Sequence, residues 1–161
     1  MQAALRHKGF TLVELVTTII LIAILSVVVL PRLMTSSSYS AFTLRDEFVS
    51  ELRKAQLLAM NNRDSCYRIV VDTTGYQLQG FIDKTCKGLD PDKDAPTLTE
   101  TKQTFEGRAS LELDSDNSKS FNVNFDRQGI ASLGCSGNCI KVIADETLMI
   151  SIESQGYIHG R

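Results

Sequence analysis

The sequence predicts an α+β protein, in which a long N-terminal helix, first apolar and then amphipathic, is followed by antiparallel β-sheet. Three observations predict it: an unbroken apolar run over residues 10–30, hydrophobic residues at three- and four-residue spacing over 42–59, and short alternating segments after residue 63. A chain of 161 residues has room for one ordinary domain. These patterns divide the chain into four stretches: 1–9, 10–31, 32–62 and 63–161.

The composition argues against several classes of function. The chain carries 17 Lys+Arg and 19 Asp+Glu, a net charge of −2, so its overall charge does not favour nucleic acid as a partner. It has no Trp and 7% aromatic residues, too few for a platform on which bases or sugars stack. Its two histidines, His7 and His159, lie at opposite ends, and no glycine-rich phosphate loop occurs. We therefore expect no enzyme and no cofactor.

The apolar run predicts a membrane anchor. Residues 10–30 read FTLVELVTTIILIAILSVVVL, with Glu14 as the one charged residue. Such a helix extends about 31 Å, the thickness of a bilayer core. A secretory signal peptide fits less well, because its apolar region is shorter and ends at a small-residue cleavage site. We expect a retained span over 10–31, with Arg6 and Lys8 on the cytoplasmic side and the remaining chain outside.

Glu14 is the unusual residue of this run. A carboxylate at the bilayer centre costs up to about 3 kcal/mol, and less near the end of a span, where Glu14 lies. It could reach back to the lipid headgroups, or it could pair with a cation such as an α-amino group a few residues upstream. The second interpretation is a functional one, because intramembrane charges usually mark function.

The residues around Glu14 carry a resemblance to a known family. Arg6 to Glu14 read RHKGFTLVE, which resembles the class III signal of type IV pilins and type II secretion pseudopilins. The resemblance implies that residues 1–9 are a leader, which a prepilin peptidase removes after Gly9 before it methylates the amine of Phe10. It implies that Glu14 pairs with the Phe10 amine of a neighbouring subunit during filament assembly. It also implies a helix kink at Pro31, where the proline removes a helical hydrogen bond.

The same resemblance implies the partners and the location of the chain. The partners would be the prepilin peptidase, other pilin or pseudopilin subunits, an inner-membrane assembly platform and inner-membrane lipid. The chain would sit in the inner membrane as a single-pass protein with its C-terminal domain in the periplasm. It would then be extracted into a filament at the cell surface.

Beyond Pro31 we expect an amphipathic helix with a loose stretch over 35–40 and an end at residues 60–62. The later segments predict a β-rich head without an internal repeat. Strands are predicted at 66–71, 76–82, 109–113, 121–125, 139–144 and 148–153, with a further short one within 156–159. The polar residues 83–104, which contain the remaining prolines, are expected to form a loop.

The helix-then-sheet layout resembles the type IV pilin plan, and its details resemble minor subunits of the FimT/GspH type. Those subunits carry two small sheets after the helix and share a segment like 51–61 (ELRKAQLLAMN). Residues 39–48 (YSAFTLRDEF) and 59–66 (AMNNRDSC) more particularly resemble minor pilins of mannose-sensitive haemagglutinin (MSHA) pili. The resemblance implies a minor pilin of MSHA type. A type II secretion pseudopilin is the alternative, and a DNA-binding minor pilin for uptake is a further one.

The four cysteines can be paired only by argument. Cys135 and Cys139 form a C-x3-C segment closed by turn residues, which suits a local disulfide and leaves Cys66 with Cys86. Three connectivities remain open. An extracytoplasmic compartment favours disulfides, and the lack of a C-x2-C knuckle argues against zinc. We expect no metal site.

Two further segments invite sharper hypotheses, which we do not favour. Residues 90–94 (DPDKD) have the spacing of a calcium loop, but Ala95 stands where a glycine makes the turn, so a solvated acidic loop is the better interpretation. Residues 156–161 lie where DNA-uptake relatives carry a basic motif. Only His159 and Arg161 are basic there, which offers little affinity for phosphate.

Overall fold

The structure is a computed structural model that describes residues 10–34, 40–62, 64–82 and 95–160. The chain divides into two compact units, Met1–Ser37 and Ser38–Arg161. The first contains helix α1, Leu12–Met34, whose side chains are described as far as Ser26. The search for membrane spans, made within these ranges, finds no helix that combines the length and the hydropathy of one.

The second unit begins with helix α2, Ala41–Asn61. Ser40 caps its start, because the Ser40 hydroxyl accepts a hydrogen bond from the Phe42 amide at 3.3 Å. Asn62 closes its end, since its backbone amide and its side-chain amide both donate to the Leu58 carbonyl, at 3.1 and 2.9 Å. The helix therefore ends within the range predicted from the sequence. Of the predicted loose stretch 35–40, all but Ser40 lies outside the described residues.

Two antiparallel sheets follow α2. Sheet A contains β1 (Cys66–Asp72), β2 (Gly75–Phe81), β3 (Leu98–Thr99), β4 (Gln103–Thr104) and β6 (Phe121–Phe125). Its order is β3-β2-β1-β6, with β4 also pairing with β2. Sheet B contains β5 (Ser110–Leu113), β7 (Gly137–Ile143), β8 (Thr147–Ile152) and β9 (Ile158–Gly160), in the order β5-β7-β8-β9. The α+β fold class with antiparallel sheets is confirmed.

The longer predicted strands are confirmed to within two residues at each end, but the predicted loop over 83–104 is wrong at two places. The described part of that segment contains β3 and β4, which pair with the outer edge of β2. On either side of β3, the Thr97 amide donates to the Gly80 carbonyl at 2.8 Å and the Glu100 amide to the Leu78 carbonyl at 3.0 Å. Two-residue strands carry no alternating pattern. The unpaired edge of β2, rather than the local sequence, makes them strands.

The core lies where α2 packs against both sheets. One face of the helix is buried and meets inward-facing residues of β1, β6, β7 and β8. Phe48, fully buried in the middle of α2, packs edge-on against Tyr76 of β2, with ring centroids 4.9 Å apart and an interplanar angle of 72°. The helix thus stabilises the head by covering the inner face of each sheet. The buried face of α2 comprises Ala41, Leu44, Phe48, Val49, Leu52, Ala55 and Ala59.

Candidate assembly site

The predicted assembly residues Phe10 and Glu14 lie at the start of α1. Phe10 precedes the helix and its side chain is 79% exposed. The Thr11 hydroxyl accepts a hydrogen bond from the Glu14 amide at 3.2 Å, which is one half of a capping box. Glu14 thereby lies in the first turn, where its carboxylate is exposed and the helix dipole favours a negative charge. The Thr-x-x-Glu spacing over 11–14 is the sequence signal that predicts this cap. Gly9 lies outside the described residues.

The hydroxyl groups of α1 turn back onto their own helix. The hydroxyls of Thr17 and Thr18 donate to the carbonyls of Glu14 and Leu15, at 3.0 and 2.8 Å. The Ser26 hydroxyl donates to the carbonyl four residues before it, at 2.7 Å. A hydroxyl that is satisfied within its helix can face an apolar medium at little cost.

The surface of α1 over its described side chains is consequently apolar, apart from Glu14. Its large hydrophobic residues are between 39% and 79% exposed in the single chain. An apolar surface of this extent calls for lipid or another protein surface to cover it. The residues concerned are Leu12, Val13, Leu15, Val16, Ile19, Ile20, Leu21, Ile22, Ile24 and Leu25.

Pro31, the predicted kink, falls within the helical backbone of α1, three residues before its last residue, Met34. Its side chain lies outside the described part, so the kink stays a prediction.

The structure joins Cys135 and Cys139 in a disulfide, with their Cα atoms 5.8 Å apart. Cys66 is disulfide-bonded as well. Cys86, its partner in the pairing that the sequence suggests, lies outside the described residues. The bond between Cys135 and Cys139 ties the segment before β7 to a buried position of that strand.

The other candidates add no site. The acidic residues 90–94 lie outside the described residues, and among those described no group of three or more His, Cys, Asp or Glu could hold a metal ion. His159 Nε2 lies 3.1 Å from Glu153 Oε1, and its ring stacks on Tyr157 with centroids 5.0 Å apart. Arg161 lies outside the description. His159 therefore already contacts a carboxylate and an aromatic ring.

One residue has a larger role in the structure than the sequence indicates. In the sequence, Gln56 is one polar residue beside the apolar stripe over 42–59. In the structure, its side-chain amide bonds to two separate turns, Gln56 Nε2 donating to the carbonyls of Gly129 and Gly156, each at 2.6 Å. Beside it, a shallow groove of about 350 Å³ is lined by the exposed side chains of Leu57, Met60 and Tyr157, among others.

Comparison with known proteins finds similarity for the N-terminal segment and for the fold. A family model described as the prokaryotic N-terminal methylation motif matches residues 5–30. Among curated proteins, none matches the sequence significantly.

The fold is similar to the type IV minor pilin FimU of Pseudomonas aeruginosa. The crystal structure in space group P21 matches with a TM-score of 0.50 at 15% identity, covering 73% of this chain and 84% of that one. A second crystal form of FimU, in space group P65, matches with a TM-score of 0.45 at 15% identity, over 73% and 89% of the two chains. At this identity the first match establishes a shared fold.

Proposed function

We propose that this chain is a minor pilin, a structural subunit that enters a type IV pilus through its N-terminal helix. Its methylation motif and its pilin fold both support the type IV pilin family and a structural, non-enzymatic role. The observation that carries the proposal is the combination at residues 5–30, where the motif coincides with an apolar helix that bears one carboxylate, Glu14, in its first turn.

The mechanism that we propose is assembly. A prepilin peptidase cleaves after Gly9 and methylates the new amine of Phe10, which becomes a cation at the membrane surface. Burying a single charge in an apolar environment costs more free energy than burying it with a partner of opposite charge. The Phe10 amine of one subunit therefore pairs with the Glu14 carboxylate of its neighbour. Because an intersubunit pair forms only when the subunits are in register, Glu14 sets that register. The apolar α1 faces lipid before assembly and neighbouring helices afterwards.

The finer proposal is a minor pilin of MSHA type, similar to the MSHA minor pilin MshC. Residues 39–48 and 59–66 carry that resemblance. The subunit starts in the inner membrane as a single-pass protein, with its head in the periplasm, and ends in the filament at the cell surface. An oxidising periplasm suits the disulfide of Cys135 and Cys139. The partners are the prepilin peptidase, the inner-membrane assembly platform and other pilin subunits.

The proposal is tested in cells that lack this chain and are complemented with the full-length protein. We expect surface pili, sheared from the cells, to be lost without the chain while protein secretion stays normal. The mature protein should begin at Phe10 with a methylated amine, as read by mass spectrometry. Normal pili with failed secretion would instead assign the chain to a type II secretion system and overturn the pilus proposal.

The role of Glu14 is tested with Glu14→Ala beside Glu146→Ala, which removes an exposed carboxylate from the head. We expect Glu14→Ala to be cleaved and retained in the membrane, but to fall at least about tenfold in the sheared filaments, since losing one partner of a desolvated pair costs several kcal/mol. Glu146→Ala should enter filaments normally. Equal incorporation of both variants would contradict the proposed pairing and favour an ordinary membrane anchor.

A further inference from the structure

Two turns of the head share a backbone conformation and end in the same two residues, Gln-Gly. The first reads DRQG over 126–129 and follows β6, and the second reads ESQG over 153–156 and joins β8 to β9. We call residues 126–130 and 153–157 the twin turns. Two identical residues are too few to stand out as a repeat in the sequence.

The twin turns share two backbone hydrogen bonds, although in the first turn the Asp126 carboxylate also accepts from the Gln128 and Ile130 amides, at 2.9 and 2.8 Å. In the first turn, the Gly129 amide donates to the Asp126 carbonyl at 3.0 Å, and the Asp126 amide donates to the Ile130 carbonyl at 3.0 Å. In the second, the same bonds run from Gly156 to Glu153 at 2.8 Å and from Glu153 to Tyr157 at 2.9 Å. Both glycines have positive φ, at 80° and 85°, which a residue with a side chain adopts only with strain.

The twin turns belong to different sheets and touch at their glycines. The first turn follows β6 of sheet A, and the second joins β8 to β9 of sheet B. A Cβ placed on Gly156 would lie 2.3 Å from the Gly129 carbonyl oxygen, so the approach requires glycine. The amide of Gln56 has two donor hydrogens, and the carbonyls of Gly129 and Gly156 accept one each, both at 2.6 Å.

We infer that Gln56 is a positioning residue that couples the twin turns, so that the turn of sheet A and the turn of sheet B open together and not separately. The residues in the middle of each turn are exposed, so little apolar burial holds either turn closed by itself. Gln56 is on α2, which packs on both sheets, and it holds the two carbonyls against one nitrogen. The coupling also fixes the spacing of the exposed side chains of Ile130 and Tyr157, which follow the two glycines. The inference concerns the head and does not depend on the proposed pilus function.

The test is hydrogen–deuterium exchange of the full-length chain in detergent micelles, read by mass spectrometry. Gln56→Met keeps the length of the side chain and removes both donors. We expect exchange at the Asp126 and Gly129 amides and at the Glu153 and Gly156 amides to rise together, on the order of tenfold, because two hydrogen bonds are lost. Exchange in the hairpin of β1 and β2 should not change. Gln128→Met, the same substitution at an exposed glutamine of the first turn, should leave all of these amides as they are.

A second variant changes one turn, and hydrogen exchange is then measured in the other. Gly156→Ala introduces a contact with Gly129, so we expect faster exchange at 126–130 as well as at 153–157. Gly107→Ala is the matched control, because Gly107 also has positive φ, at 63°, but a Cβ there meets nothing within 4 Å. It should change exchange only near itself.

The outcomes separate coupling from stability. A rise confined to one turn, or no rise at either, would overturn the inference. A uniform rise over the whole head would also overturn it, because the effect of Gln56 would then be on global stability. If Gln56→Met does not fold, Gln56→Glu, which also lacks both donor hydrogens, decides by the same comparison of the two turns.

Discussion

Replacing Phe48 by alanine should show how far the head depends on α2. The Phe48 ring is fully buried and packs edge-on against Tyr76 at 4.9 Å. Removing a buried Phe side chain costs about 3–5 kcal/mol, and the aromatic pair contributes part of that cost. A folded domain is stable by only about 5–15 kcal/mol, so this single change removes a large share of the stability.

The expected shift in Tm follows from the size of the unit. For the roughly 120 residues of Ser38–Arg161, each kcal/mol corresponds to about 4 °C. Phe48→Ala should therefore lower Tm by about 15 °C. Phe48→Leu, which fills part of the space, should lower it less and provides a measurement if the alanine variant does not fold.

The assay is thermal unfolding of the full-length chain in detergent, followed by near-ultraviolet circular dichroism. Phe42→Ala on the same helix is the control, because the Phe42 ring is 48% exposed and contacts the Arg45 guanidinium at 5.0 Å. An exposed cation–π contact contributes about 0.5–1 kcal/mol, so Tm should fall by only a few degrees. Equal losses of Tm for Phe42→Ala and Phe48→Ala would refute the claim that the buried face of α2 holds the head together.

Three further outcomes are expected. The Lys102 ammonium donates a hydrogen bond to the Asp72 carboxylate and lowers the pKa of Asp72 to about 2, so its stabilisation should be lost as the pH falls from about 4 to about 2. Because Asp72 is partly exposed, Asp72→Asn should lower the free energy of unfolding by about 1 kcal/mol or less at neutral pH. Urea titrations should show that this difference between variant and parent disappears in acid. Burial raises the pKa of Tyr76 to about 12, so stability should fall as the pH rises from about 10 towards 12. In Tyr76→Phe this alkaline fall should become smaller, and an unchanged fall would assign it to other groups. Replacing Cys135 and Cys139 together by alanine should lower the free energy of unfolding by about 2 kcal/mol, which is the loop entropy of so short a ring. The loss should appear as a lower midpoint of unfolding in guanidinium chloride. An unaltered midpoint would show that the disulfide does not stabilise the head.

Several elements could be predicted because their signals are local. The residues NNRD over 61–64, which are typical of a helix end, placed the end of α2 at 60–62, and alternation placed β6 at Phe121–Phe125 without error. The assembly residues Phe10 and Glu14 could be named for the same reason, since a contiguous motif carries them. Their roles stay proposals, because a filament contact involves a second chain.

Other features depended on residues far apart in sequence. Strands β3 and β4 exist because β2 has an edge to pair, which no two-residue pattern announces. Gln56 resembled any polar residue at the border of a helical stripe, until the fold brought Gly129 and Gly156, 73 and 100 residues away, to its amide.

The structure of this chain thus depends on local sequence signals and on contacts between residues far apart in sequence. Hydrophobic periodicity, caps and a contiguous processing motif act over a few residues, so reading the residues in order was enough to establish the apolar helix, the amphipathic helix and the strands after them. The arrangement of two sheets under α2 and the coupling of the twin turns depend on which polar groups remain unpaired after those elements pack. A buried carbonyl must find a donor wherever the fold supplies one, and for Gly129 and Gly156 that donor is Gln56.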